Sequence, residues 1–563
     1  VYEAPHTALV RWGRRAILSL LLIGTIFVGL LPIQSPSPVP SDAPPDKFSS
    51  SRALTKLRSI AQEPHPAGSA AHQAVRDYLL SELITLGLQP EIHKSSVQIH
   101  EENNNTNRAV ELENIVARIP GTENSKAIMV AAHYDSVARG PGAADDGSGI
   151  AAMLETLRAL KNSAPLKNDL IILMTDGEEM GMLGAEAFMR EHPWAKDVGL
   201  VLNFEARGNK GPSFMFETSD QNGWLIKEFI KAAPQPIAYS LVYNVYKLMP
   251  NDTDLTVFRL GGLNGLNFAF GMGVNAYHQP IDTADNLDPS SLQHQGEYML
   301  SLTRHFGQLD LRQITEENQI YFNLFGHKMV SYPESWAIWL AGFGSALYIA
   351  AVGYGIIRKR LSVRGTLGGF LVTLLSLLVV YGLVTLIWGI FVFGISGGQL
   401  ITSRLTPEVS LYYFVGLLLF MLLIVIPLIR WLSGYIRTNN LWAGTLLLWT
   451  ILSVMTALYL PGGSYLFLWP MMFSIIGLTL SLAMKEGSWT WFSLGFSLPG
   501  FLLMTPICYI VYILVTLQVA PAVMVLPAIA LTLIYPLISR PSKKILLKHA
   551  KEHHSTSAHS GRH

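Results

Sequence analysis

Apolar positions along this chain follow two different rhythms. From about residue 46 to 330, short apolar runs alternate with segments of helical periodicity, as in a soluble domain; from 336 to 539, long apolar stretches dominate. Within the first region, 50–61 and 70–86 have helical spacing, AIMVAAH (127–133) reads as a buried strand and 149–160 as a helix. DLIILMT (169–175) is a second buried strand, 182–190 a helix, and VGLVLNF (198–204) a third strand. Strands that are apolar throughout and separated by helices predict an α/β domain: a mixed, mainly parallel sheet covered by helices. In such sheets ligands collect beyond the carboxyl ends of the strands.

The second region predicts an all-α, multi-pass transmembrane domain. Seven stretches, about 336–357, 367–395, 411–429, 441–460, 465–485, 491–517 and 521–539, each hold the roughly 18 apolar-rich positions that a bilayer core requires. An eighth, 16–33, follows Arg11, Arg14 and Arg15 and lacks a clear small-x-small cleavage site, so it reads as an uncleaved signal anchor. The Pro/Ser-rich stretch 34–47 is then a stiff spacer. The resulting organisation is a cytoplasmic N-terminus (1–15), an anchor (16–33), a linker (34–47), an exoplasmic domain (48–315), a connector (316–335), about seven membrane helices (336–539) and a basic tail (540–563).

Charge supports this topology. Arg358, Lys359, Arg360, Arg364, Arg430, Arg437, Lys485 and the basic tail fall on one side of an eight-span arrangement, and only Arg404 falls in the opposite short loops. The positive-inside asymmetry predicts both termini in the cytoplasm and the α/β domain outside: periplasmic or extracellular in a bacterium, luminal in a eukaryote. The histidine-rich tail (His549, His553, His554, His559, His563) reads as a disordered tail rather than a metal site. A formal net charge of +1 without a basic stripe in the soluble half excludes a nucleic-acid footprint. The single cysteine, Cys508, excludes an intramolecular disulfide.

The candidate chemistry lies where strands end. His133 is in AAHYDSV, Asp145 in GAADDGSG, Glu178 and Glu179 in TDGEEMG, Glu205 in NFEARG and His278 in AYHQPID. Two imidazoles and several carboxylates without a thiolate suit zinc. Singly, each has an ordinary explanation: His133 as a buried histidine, Ala143-Ala144-Asp145-Asp146-Gly147 as a helix-capping turn, Glu178-Glu179 as a solvated pair, and His278 as part of a polar loop. Asp135, two residues after His133, adds a carboxylate able to fix an imidazole tautomer.

In order, the motifs HYD, ADDGSG, GEEMGMLGAEAF, NFEARG and YHQPIDTADNLD resemble the co-catalytic dizinc exopeptidases, the family of secreted bacterial aminopeptidases and glutamate carboxypeptidase. The likeness covers about 48–310. With a multi-pass segment attached, the chain is similar to the membrane-anchored branch that includes endoplasmic reticulum metallopeptidase and fungal vacuolar membrane protease. The resemblance implies two Zn2+ per chain: His133 and Glu205 on one, Glu179 and His278 on the other, with Asp145 bridging. It further implies Glu178 as general base, Tyr277 as a hydrogen-bond donor to the tetrahedral oxyanion, and Asp135 as the orienter of His133. Asp146, joined to Asp145 by a bond resembling the family's cis peptide, Arg207 and Asp282 complete the candidate set, Arg207 as a substrate-pocket residue or one half of a structural ion pair, Asp282 as a partner of His278. Glu205 stands where many members have aspartate.

The implied activity is peptide-bond hydrolysis outside the bilayer, most simply removal of N-terminal residues from peptide substrates. The alternatives are a carboxypeptidase, a glutaminyl-cyclase-like enzyme, which needs one zinc, or a non-catalytic receptor or scaffold, which would typically have lost ligands.

Overall fold

A computed structural model describes residues 5–101, 106–249, 251–395, 405–484 and 490–539. Arg404, Lys485, the basic histidine-rich tail and the first residues of the N-terminus, on which part of the topology reading rests, lie outside the described residues. The chain divides into an α/β unit, Pro32–Glu334, and a helical unit made of Val1–Leu31 and Ser335–His563.

The α/β unit is built on seven strands: β1 Glu91–Glu101, β2 Thr106–Ile119, β3 Ala127–His133, β4 Leu170–Thr175, β5 Val198–Ala206, β6 Lys210–Thr218 and β7 Asn264–Met272. Their spatial order is β1-β2-β4-β3-β5-β7-β6. β4, β3, β5 and β7 are mutually parallel, while β2 joins β4, and β6 joins β7, in antiparallel register. The mixed, mainly parallel sheet expected from the sequence is thus present, with antiparallel strands at both edges. Every residue of β3 and β4 is buried, and the side chains alternate between two cores. Ile128, Val130 and Ala132 of β3 join Leu202 and Phe204 in one core, with the helices Ser50–Ile60, Gly147–Leu160 and Pro289–Phe306. Ala127, Met129 and Ala131 join Phe188, Leu255 and Phe258 in the other, under the helices Leu183–Glu191 and Asp254–Leu260. Each large apolar side chain removed from water contributes about 1.5–3 kcal/mol, which is why strands covered on both faces are mostly apolar.

Helix starts follow their capping residues. Ser49 accepts from the Arg52 N–H, Ser69 from His72, Asp146 from Gly149 and Asp288 from Ser290. A separate hairpin, β8 Gln319–Phe325 with β9 Lys328–Pro333, ends the unit.

In the helical unit, six helices among the described residues are long and apolar enough to cross a membrane, not eight: Trp336–Ile357, Val363–Gly394, Pro407–Tyr435, Thr438–Tyr459, Tyr465–Ala483 and Gly495–Val515. The predicted span at 521–539 is broken into Ala520–Val523, Val525–Thr532 and Tyr535–Ile538. Pro521, Pro527 and Pro536 lie in those three pieces. A proline lacks the N–H that would continue a helix and clashes with the carbonyl four residues earlier, so each is confined to the first turn of a new helix. The predicted anchor falls in a helix, Pro5–Leu30, whose described apolar part, Ser19–Leu30, is shorter than a span.

Small residues bring these helices together. A Cβ on Gly444 would lie 2.2 Å from the Phe370 amide nitrogen, and one on Gly369 2.3 Å from the Asn440 carbonyl oxygen. The Thr373 and Thr445 hydroxyls meet beside this crossing at 2.9 Å.

Candidate metal centre

The four parallel strands all deliver site residues at their carboxyl ends. His133 is the last residue of β3, Glu178 and Glu179 follow β4, Glu205 is the penultimate residue of β5, and His278 follows β7 after the 3-10 turn Val274–Ala276. Asp145 lies in the loop that leads from β3 into the helix Gly147–Leu160, and its peptide bond to Asp146 is cis.

These side chains converge in two sets that could each hold a metal ion: His133, Asp145 and Glu205, and Asp145, Glu179 and His278. Asp145 belongs to both. Its Oδ1 is 3.4 Å from His133 Nε2 and its Oδ2 is 3.1 Å from His278 Nε2. Glu205 Oε2 is 3.6 Å from His133 Nε2, and Glu179 Oε2 is 3.1 Å from His278 Nε2. Glu178 Oε2 stands back at 4.0 Å from His133 Nε2.

The free valences suit cations. His133 Nδ1 lies 3.0 Å from the Asp135 backbone carbonyl, which fixes the ring with its Nε2 toward the carboxylates. That Nε2, together with His278 Nε2 and Glu179 Oε1, is buried without a hydrogen-bond partner. Buried polar atoms are rarely left so. A donor set of imidazole nitrogens and carboxylate oxygens is the one zinc takes.

The electrostatics point the same way. Burial, followed by the charges of Asp254, Asp145 and Asp135, holds Glu178 well above the usual carboxylate range. Burial does the same to Glu205 and Asp146, and more mildly to Glu179. Asp145 differs: burial pushes it up, but the close approach of the His133 and His278 imidazoles outweighs this and pulls it down. Burial lowers His133, yet the nearby carboxylates of Asp135, Asp145, Glu178 and Glu205 raise it well above its ordinary value. His278 is pushed up to about 10: burial lowers it, and Asp145 and Glu179 more than compensate. So many buried acids around two imidazoles make a strong negative potential, relieved only by protons or by cations.

The supporting residues act differently from the simplest expectation. The Asp135 carboxylate lies 3.5 Å from His133 Nδ1, but it also accepts the backbone N–H of Glu178 (3.1 Å) and Glu179 (3.3 Å). Asp282, expected beside His278, accepts instead from the Ala144 and Asp145 N–H groups at 2.8 and 3.3 Å, so it holds the loop of the shared ligand. Asp146 caps the following helix. Tyr277 stacks on His278 with ring centres 3.7 Å apart; burial, reinforced by the Asp145 charge, raises its phenol, which keeps its proton. His278 adopts φ 56°, a left-handed conformation that a non-glycine residue enters only when its surroundings fix it.

Two contributors escaped the sequence reading. Asp254, first residue of its helix, accepts from Thr175 at 2.5 Å, and burial pushes its carboxyl up to about 6. Asn203, wholly buried in β5, donates to Glu205 Oε1 at 3.2 Å and to Asn267 Oδ1 at 3.0 Å. A polar residue inside VGLVLNF, two positions before Glu205, was the available signal for Asn203; Asp254, in a polar stretch far along the chain, offered none.

Residues 114–303 match the family model described as Peptidase family M28, and every residue of the centre lies within them. Endoplasmic reticulum metallopeptidase 1 of Rattus norvegicus is 29% identical over 308 residues, covering 51% of this chain and 34% of that protein. Vacuolar membrane protease of Yarrowia lipolytica is 29% identical over 406 residues, covering 66% and 40%. The chain therefore spans well under half the length of these curated relatives. Structural neighbours include zinc aminopeptidases and glutaminyl cyclases. The zinc aminopeptidase of Bacillus subtilis aligns with a TM-score of 0.38 at 14% identity, over 48% of this chain and 98% of that one. The α/β unit of this chain thus carries a Peptidase family M28 domain.

Proposed function

We propose that this chain is a membrane-bound metallopeptidase that holds two zinc ions and removes N-terminal residues from peptides. The observation that carries the proposal is the pair of ligand sets sharing Asp145, with two buried imidazole nitrogens free to coordinate. In this reading His133 and Glu205 hold one ion, Glu179 and His278 the other, and Asp145 both. The two ions together would lower the pKa of a shared water and polarise the scissile carbonyl.

The remaining roles belong to the chain's own side chains. Glu178, set back from the ligands and raised by burial and neighbouring acids, takes a proton from the attacking water and returns it to the departing amine. Tyr277, protonated and stacked beside His278, donates to the oxygen of the tetrahedral intermediate. Asp135 fixes the turn that carries Glu178, and Asp282 the turn that carries Asp145. Completeness of both ligand sets favours this reading over a one-zinc cyclase and over a non-catalytic scaffold.

Orientation follows from charge. Arg358, Lys359 and Arg360 lie between the first and second long spans, Arg364 in the first turn of the second, and Arg430 and Arg437 around the turn into the fourth. With those turns cytoplasmic, the span beginning at Trp336 starts outside, and the α/β unit that precedes it is exoplasmic.

A panel of peptides with free, N-blocked and C-blocked ends tests the activity. Cleavage that requires a free N-terminus is expected. Cleavage of N-blocked peptides from the carboxyl end would replace this reading with a carboxypeptidase.

A further inference from the structure

Arg207 occupies a position that the metal chemistry does not use. We propose that its guanidinium binds the free C-terminal carboxylate of a short peptide, which makes di- and tripeptides the preferred substrates; the inference rests on the peptidase reading above.

Arg207 follows Glu205 by two residues and stands directly after the end of β5 at Ala206. Its backbone N–H continues the ladder to the Phe270 carbonyl at 3.0 Å. The chain is pinned directly afterwards, because a Cβ on Gly208 would meet the Met272 carbonyl oxygen at 2.1 Å. The guanidinium carbon lies 6.0 Å from the centre of the Tyr277 ring, the ring that stacks on His278. The charge is therefore held at the border of the metal ligands.

Its pairing is unusual for this molecule. Arg52, Arg76, Arg118 and Arg158 each pair with a carboxylate: Glu155, Glu113, Asp169 and again Glu155. Arg207 has no ion pair or side-chain hydrogen bond among the described residues, although it stands beside Tyr277 and so near the acidic ligand sets, and its Nε is buried without a partner. The structural ion pair weighed from the sequence is not formed among the described residues. A half-buried guanidinium with unused donors is a ready bidentate partner for a carboxylate. One extended residue spans about 3.3–3.6 Å, so a terminal carboxylate one or two residues beyond the scissile bond can reach past Tyr277 to Arg207.

The test compares Ala-Ala with Ala-Ala-amide, using the full-length chain. The free acid is expected to have a kcat/KM about tenfold or more above the amide, the range for hydrogen bonds to a charged group. Arg207→Ala should collapse that ratio toward one, mainly through KM, and Arg207→Lys should restore part of it. Equal hydrolysis of acid and amide by the wild type, or loss of both in proportion in Arg207→Ala, would overturn the inference while leaving the peptidase reading intact. Calorimetric binding of the same two dipeptides to Glu178→Gln serves where neither is cleaved, an outcome that counts against the peptidase reading. Tighter binding of the acid, lost in Glu178→Gln/Arg207→Ala, supports the carboxylate site; equal binding contradicts it.

Discussion

The carboxylate of Asp135 receives the backbone N–H of Glu178 at 3.1 Å, although 43 positions separate the two residues. Its other oxygen receives Glu179 at 3.3 Å, and its backbone carbonyl holds His133 Nδ1. One residue thus fixes a candidate ligand on β3 relative to the candidate base and another ligand after β4. Asp135→Asn keeps the shape but replaces one acceptor with a donor, which opposes one of the two N–H groups. Activity should fall about 10–100-fold, the usual effect of losing a group that orients a metal ligand. Steady-state kinetics should place the loss in kcat; an unchanged kcat would remove Asp135 from this role.

Glu178→Gln removes the proton acceptor and preserves volume. A general base contributes about 10²–10⁴-fold, so kcat should drop within that range while bound metal, measured by mass spectrometry, stays the same. Loss of metal in step with activity would instead make Glu178 a ligand.

The buried acids give the metal-free protein a distinctive pH dependence. Asp254 is raised to about 6 and Asp282 to about 7, both mainly by burial, so between pH 4 and 7 the folded state holds protons that the unfolded state has released. Stability of chelator-treated protein should therefore fall as pH rises through that window. His278, raised to about 10, has the same sign: its stabilising contribution is complete below pH 6.5 and is lost as pH climbs toward 10. Asp135 and Asp145, lowered against the opposing effect of burial, act oppositely and only near pH 4 and below. Added zinc should raise the melting temperature more at pH 7 than at pH 5, because at pH 5 it must displace protons. A zinc shift that shrinks with rising pH would contradict the electrostatic account.

In the helical unit, Gly444→Val would force a side chain against the Phe370 amide. Overpacking of this kind costs about 1–3 kcal/mol, and detergent-solubilised protein should melt at lower temperature. Gly416→Ala, on a helix where a Cβ meets nothing within 4 Å, is the control.

What the sequence revealed, and what it hid, follows from where the signal is local. β3, β4 and β5 were legible because strands buried on both faces are apolar at nearly every position before their carboxyl ends, and the run AIMVAAH coincides with β3. The edge strands β1 and β6, and β2 beside β1, were not, since polar residues interrupt their patterns, as in EIHKSSVQIHE of β1. The candidate ligands were visible as ordered motifs at strand ends. Asp282's partner was not, because a hydrogen bond to the Ala144 backbone carries no residue-type signature. The last membrane stretch was misjudged for a physical reason too: hydropathy registers Pro521, Pro527 and Pro536 as tolerably apolar, but the backbone registers them as interruptions.

The central claim is that Asp145 joins two metal sites, and metal analysis of the purified full-length chain tests it most directly. The account predicts two zinc ions per chain, with binding of both weakened in Asp145→Ala. One zinc in the wild type, or none, or an Asp145→Ala variant that retains both, would contradict it.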